Sequence, residues 1–167
     1  GKDVKICYLQ EPVEIWNTFT DKANVNIIEN YYKDQKKYAF PFQMMAYISR
    51  LSQLKKALNE NYDIIFTERS MYTDRNVFAK MMYDDNLIGE IEYKIYNAWF
   101  DEFCECFKNI KVFYVKTDTT ICSERIKKRL RNGEENIEFS YLTKCNDYHD
   151  NWIIKIENKY IFDGNID

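Results

Sequence analysis

At 167 residues, 46% hydrophobic and 17% aromatic, the chain is long enough to bury a sizeable core and too apolar for a disordered polymer. A charged fraction of 31% and the lack of any apolar run of membrane-spanning length exclude an integral membrane protein and predict no membrane partner. The formal net charge of -3 predicts no nucleic-acid partner, so an anionic ligand has to be met by a local basic cluster.

Val4 to Leu9 is an apolar segment rich in β-formers, read as a buried strand that runs into Gln10-Glu11. Pro12 holds Glu11 extended and removes a backbone donor behind it. A helical stretch follows Pro41 through about Leu58, and Asp63 to Thr67 forms the second candidate buried strand. It delivers Glu68-Arg69-Ser70, with Ser70 placed to cap the helical pattern beyond it. From about Ile88 to Phe107, the residues Ile88, Ile91, Ile95, Trp99, Phe103 and Cys106 recur at helical spacing. Val112 to Lys116 is a third candidate strand, followed by a turn at Thr117-Asp118-Thr119 and a helix from about Thr120 to Arg131. A last helix around Tyr141 to Ile156 precedes the fourth candidate strand, Tyr160 to Phe162, and the polar run Asp163-Gly164-Asn165.

Strands separated by helices imply a parallel α/β sheet, and four glycines with two prolines leave no linker, so residues 1–167 are expected to form a single domain. Each candidate strand ends in a polar cluster, and such ends in a parallel sheet converge on a ligand-binding rim. Five cysteines, Cys7, Cys104, Cys106, Cys122 and Cys145, are odd in number and lack CxxC spacing, which predicts buried or free thiols in a reducing compartment; the expected location is cytoplasmic, with mitochondrial the alternative if a targeting segment has been lost from the N-terminus. Cys104 and Cys106 face apart on a helix and His149 is the lone histidine, so structural zinc is not expected.

Three clusters carry chemistry. Glu11, fixed at a strand end, can act as a general base if a hydroxyl comes within hydrogen-bond reach, and Trp16 offers a flat wall for a planar ring or, equally, a core aromatic. Glu68-Arg69-Ser70 is either a strand-end ion pair with a helix cap or part of a site. Arg125 to Glu135 holds Arg125, Lys127, Lys128, Arg129 and Arg131, which suit a clamp over phosphates as well as a solvated helix C-terminus. Together they make the parts list of phosphoryl transfer.

The ordered set Glu11-Pro12-Val13-Glu14-Ile15-Trp16, Tyr32-Lys33-Asp34 with Phe40-Pro41-Phe42-Gln43, Glu68-Arg69-Ser70 with Tyr72-Thr73-Asp74-Arg75 and Phe78, and Arg125 to Glu135 with Tyr141-Leu142 and Trp152 resembles the deoxynucleoside kinase family over nearly the whole chain. The resemblance implies a P-loop kinase-like, three-layer α/β/α fold with a parallel sheet and a helical lid at about 125–138. It implies ATP as phosphate donor, Mg2+ as cofactor, a deoxynucleoside as substrate and a homodimer built through helices such as the one after Pro41 and the one from Ile88 to Phe107. By the same resemblance Glu11 is the base for the 5'-hydroxyl, Arg69 supports it and the transferring phosphoryl group, and Glu68 holds Mg2+. Gln43 matches the amide that reads the base edge, Phe78 the ring that stacks on the base and Trp16 a pocket wall. Tyr32 and Glu134 match the pair at the sugar 3'-hydroxyl, and Arg125, Arg129 and Arg131 the lid arginines at ATP. Thymidine-preferring members carry small or apolar residues where this chain has Arg50 and Asp74, so deoxyadenosine, deoxyguanosine or deoxycytidine is expected over thymidine.

The family pattern opens with a strand and a glycine-rich phosphate loop ending in Gly-Lys-Ser/Thr, and that segment is missing ahead of Glu11. Gly1-Lys2 does not supply it, because Asp3 is not the expected hydroxyl and no helix fits before Glu11. The expectation is a chain trimmed from a longer kinase, since the acceptor-side residues are intact. A degenerate homologue that binds nucleosides without catalysis and a nucleoside monophosphate kinase are the rival classes.

Overall fold

The computed structural model of the chain describes residues 3–104, 107, 110–129 and 137–166. They fall into two compact units, Gly1–Ala98 and Trp99–Asp167. The structure is mixed α/β with parallel strands, as the sequence implies.

In the first unit, β1 (Ile6–Leu9) pairs in parallel with β2 (Ile64–Thr67), in a register running from Ile6 opposite Ile64 to Leu9 opposite Thr67. The crossover between them contains α1 (Val13–Asn17), α2 (Ile27–Lys33) and α3 (Gln35–Leu58). Asn26 caps α2 by accepting from Glu29 N at 2.9 Å, and Asp34 caps α3 by accepting from Lys37 N at 3.1 Å. The strong cap at Asp34 explains why α3 starts before Pro41 rather than after it. Pro41 is exposed within the helix, so the carbonyl it cannot pair lies near water.

One stripe of α3, comprising Ala39, Gln43, Ala46, Tyr47, Arg50 and Leu51, is buried. Two polar side chains, Gln43 and Arg50, thus enter the interior on the core-facing side of a long helix. A separate apolar cluster of Tyr31, Ala39, Met82 and Ile88 packs against Phe40, Phe42 and Tyr93. It anchors α3 to the segment after β2.

That segment consists of a short turn α4 (Met71–Thr73), a π-helix (Asp74–Ala79) and α5 (Lys80–Asp84). Ser70 caps α4, its Oγ accepting from Thr73 N at 3.2 Å, as the sequence predicts. The next helix, α6 (Glu90–Cys104), starts two residues later than predicted, and Cys106 near the end of the predicted span lies outside the described residues. Its buried residues are Tyr96, Phe100 and Cys104, whereas Ile91, Ile95, Trp99 and Phe103 from the predicted stripe are 75, 41, 49 and 38% exposed. Two apolar stripes lie one residue apart on this helix, and the packed one is not the one the periodicity selects.

In the second unit, β3 (Val112–Lys116) pairs in parallel with β4 (Lys159–Asp163). The connection contains α7 (Thr119–Arg129), whose predicted end at Arg131 lies outside the described residues, and α8 (Phe139–Ile153), offset by a few residues from the predicted limits. Gly164 closes against the end of β3: a Cβ there would lie 2.2 Å from Thr117 Oγ1 and 2.7 Å from Val115 Cγ1. Only glycine fits that approach.

All four strands form, but they are not buried as predicted. Ile6, Ile64, Phe66, Phe113, Val115 and Ile161 are each exposed. The described ladders are two pairs, β1–β2 and β3–β4, and a two-stranded pair leaves its β-branched residues only partly covered.

Candidate active site

The ends of β1 and β2 are held side by side, Glu68 N donating to Leu9 O at 2.8 Å, and the chain leaves them as Gln10-Glu11 and Glu68-Arg69. Pro12 is buried and opens α1, which fixes where Glu11 leaves the strand. Arg69 adopts a left-handed backbone with φ 62°, a strained conformation for a non-glycine residue. The tight turn aims its guanidinium back across the strand ends.

The centre of the cluster is Arg50. Its Nη2 pairs with Glu11 Oε1, its Nη1 donates to Glu68 O at 3.1 Å, and its Nε lies 3.0 Å from Asp74 Oδ2. The last approach is an ion contact without hydrogen-bond alignment, for Arg50 Nε and Asp74 Oδ2 both lack an aligned partner among the described residues. Arg69 Nη1 also reaches Glu11 Oε1, at 3.3 Å. Two guanidinium groups therefore meet one carboxylate oxygen. The arginines rest on aromatic faces, Arg50 at 5.2 Å from the Trp16 ring centroid and Arg69 at 5.0 Å from that of Phe78.

Arg50 and Asp74 are 7 and 2% exposed. Burial lifts the Asp74 carboxyl from its ordinary 3.8 to about 6, against the pull of Arg50 and Arg69 and with a further push from Glu11. Asp74 opens the π-helix that also carries Phe78, and such irregular turns recur at functional sites. Gln43 is 2% exposed, and its Oε1 has no hydrogen-bond partner among the described residues. A buried amide left in that state is poised for a ligand partner.

Glu11, Trp16, Arg50, Glu68, Arg69, Asp74 and Phe78 are thus joined in one network of contacts, and Gln43 lies on the same α3 stripe two turns before Arg50. Glu68 is exposed and its carboxylate Oε2 sits 3.5 Å from Glu11 N, so it is not the buried partner of Arg69 that adjacency suggests; Arg69 instead turns to Glu11. Tyr32 is 37% exposed and packs on the Tyr31 ring at 5.3 Å. In the second unit, Arg125 Nη1 donates to Gly164 O at 2.7 Å, tying α7 to the end of β4, and Arg129 is exposed. Arg131, Glu134 and Gly1-Lys2 lie outside the described residues.

One participant escapes sequence reasoning: Ser49 accepts from Trp16 Nε1 at 2.8 Å. A serine next to a buried arginine on a helix carries no local signal for that partner, since Ser49 and Trp16 are 33 residues apart.

The family model for deoxynucleoside kinases matches residues 2–166. The chain is 34% identical over 148 residues to a probable deoxycytidine kinase of fowlpox virus, covering 87% of this chain and 60% of that protein. It is 30% identical over 156 residues to a putative kinase of invertebrate iridescent virus 3, covering 93 and 75%, and 30% identical over 155 residues to deoxycytidine kinase of Bos taurus, covering 87 and 60%. It therefore spans 60% of the length of two of these relatives and 75% of the third. With a family match along almost its whole length and this mixed α/β architecture of parallel strands, the chain belongs to the deoxynucleoside kinase family, whose fold is P-loop kinase-like.

Proposed function

We propose that residues 1–167 form one kinase domain that moves the γ-phosphate of ATP to the 5'-hydroxyl of a deoxynucleoside in nucleotide salvage. The observation that carries this is the single guanidinium of Arg50, which touches both Glu11 at the strand end and the buried Asp74 of the π-helix. Both guanidinium contacts to Glu11 fall on Oε1, so Oε2 is the oxygen left to accept a hydroxyl proton. Arg69, with its side chain half exposed beside that carboxylate, is placed to meet negative charge developing on the transferring group.

Gln43 Oε1 is a buried acceptor without a hydrogen-bond partner among the described residues, and the buried Arg50–Asp74 ion pair adds a charged donor and acceptor, which suits the polar edge of cytosine or a purine better than the methyl of thymine. Deoxyadenosine, deoxyguanosine or deoxycytidine is therefore preferred over thymidine. Trp16 and Phe78 supply the aromatic walls, and Tyr32 with Glu134 the contacts to the sugar 3'-hydroxyl. Arg125, Arg129 and Arg131 serve the triphosphate.

Among the described residues no three His, Cys, Asp or Glu side chains gather into a cation cage. Mg2+ fits nonetheless, since it is commonly held by one or two carboxylates together with substrate phosphates and water, and exposed Glu68 provides the carboxylate. When bound, the ion neutralises phosphate charge. No helix among the described residues is long and apolar enough to cross a membrane. The exposed apolar side chains of α6 favour a homodimer through that helix, checked by sedimentation of the full chain.

A thermal-shift panel tests the acceptor. Deoxycytidine and the purine deoxynucleosides are expected to raise Tm more than thymidine and more than the monophosphates. A larger shift with monophosphates would indicate a monophosphate kinase instead, and binding without any ATP-dependent phosphorylation a non-catalytic homologue.

A further inference from the structure

Trp16 is 5% exposed, and its indole N–H must find an acceptor inside the protein. It finds Ser49, whose Oγ accepts from Nε1 at 2.8 Å while lying 3.1 Å from Ala46 O, to which it donates. The hydroxyl proton is thus committed along the helix, and a lone pair is turned to the indole. The ring is fixed on two further sides, by the Arg50 guanidinium over its face at 5.2 Å and by the edge-on Phe42 ring at 5.7 Å and 70°. Phe42 is itself stacked on Tyr31 at 4.7 Å, in the apolar cluster that anchors α3.

We infer that Ser49 is a positioning residue: by holding the indole N–H it sets the orientation of the Trp16 ring and with it the width of the nucleobase pocket. Ser49 precedes Arg50 on α3, so one turn of helix fixes both the edge and the face of the same ring. Arg50 and Phe42 hold the plane of the ring, whereas the hydrogen bond at Nε1 fixes its rotation within that plane. The hydroxyl thereby discriminates between the smaller pyrimidine and the larger purine without touching either. This rests on the nucleoside-kinase assignment above.

The test uses the full chain with Ser49→Ala, Ser49→Thr, Trp16→Phe and the Trp16→Phe/Ser49→Ala double variant, and calorimetric Kd values for deoxycytidine and deoxyguanosine. Ser49→Ala is expected to weaken deoxycytidine binding about tenfold while deoxyguanosine changes less, shifting the ratio of the two Kd values at least about threefold. Ser49→Thr, which keeps the hydroxyl, restores the ratio to within about twofold. In the Trp16→Phe background, Ser49→Ala leaves the ratio unchanged, because the indole N–H is gone. In a Trp99→Phe/Trp152→Phe background, Ser49→Ala also shifts Trp16 emission to the red and makes it easier to quench.

Equal weakening of both nucleosides, or an equal change of ratio with and without the indole, overturns the proposal. Should Ser49→Ala fail to fold, Ser49→Cys takes its place, its weaker acceptor giving a smaller shift of the same sign; an unchanged ratio in that variant overturns the proposal. If the unmodified chain binds neither nucleoside, the kinase assignment fails, while the emission of Trp16 still reports on whether Ser49 holds the ring.

Discussion

Replacing Asp74 by Asn should erase a pH dependence of stability that this one carboxyl imposes. Its folded value of about 6 lies above its ordinary 3.8, because burial outweighs the attraction of Arg50 and Arg69 and Glu11 adds repulsion. The folded state therefore binds more protons than the unfolded state between those values. A carboxyl of this kind contributes its full share of stability below about pH 3.8 and loses it as pH rises through about 6. The difference of roughly two units, at 1.36 kcal/mol each, amounts to about 3 kcal/mol. Asn approximates the protonated form and carries no titrating charge. Urea unfolding of both proteins at pH 4.5, 5.5, 6.5 and 7.5, followed by tryptophan fluorescence, isolates the effect, since every other group titrates in both. The stability of Asp74→Asn relative to the parent should rise with pH across that series by about 2 kcal/mol. A difference that stays flat from pH 4.5 to 7.5 would refute the reasoning, because it would mean that Asp74 is already ionised or solvated when folded.

Glu11→Gln should lower kcat for deoxynucleoside phosphorylation by about a hundredfold or more while Kd for the nucleoside moves only a few-fold, a split that steady-state rates and calorimetry resolve together. The double change Arg50→Met with Asp74→Ala should raise kcat/KM for thymidine relative to deoxycytidine on the order of tenfold, and an unchanged base preference would defeat the assignment of those two residues. Gly164→Ala forces a methyl to 2.2 Å from Thr117 Oγ1 and 2.7 Å from Val115 Cγ1, so thermal unfolding should show a loss of about 1 to 3 kcal/mol; an unchanged Tm would mean that the loop gives way freely.

Strand ends and caps were legible in the sequence because their signals are local. The polar exits Glu11 and Glu68-Arg69 follow apolar runs, and Ser70 stands directly before the helix it caps. The extent of α3 was not legible from Pro41, since the proline signal for a helix start competes with the Asp34 cap seven residues earlier, and the cap prevails. The buried face of α6 was misread because Ile91, Ile95, Trp99 and Phe103 are as apolar as Tyr96, Phe100 and Cys104, and periodicity cannot choose between adjacent stripes. Strand burial depends on which elements cover a sheet, which short apolar runs do not encode.

Within the site, no spacing rule links Arg50 to Glu11 and Asp74, which are 39 and 24 residues away; only the family resemblance singled out Arg50 and Asp74. Their convergence is a tertiary fact, created by the core stripe of α3 meeting the end of β1 and the π-helix after β2. The contact of Arg50 with Glu11 had no sequence signal at all. Nor did the partnership of Ser49 with Trp16 across the α1–α3 packing.

The most direct measurement is ATP-dependent phosphorylation of the four deoxynucleosides by the full-length protein, run beside its Glu11→Gln variant. Monophosphate product should form from deoxyadenosine, deoxyguanosine or deoxycytidine in preference to thymidine, and the variant should form it about a hundredfold or more slowly. Turnover by Glu11→Gln within about tenfold of the parent rate, or product from thymidine alone, would contradict the role given to the strand-end carboxylate and to the Arg50–Asp74 pair.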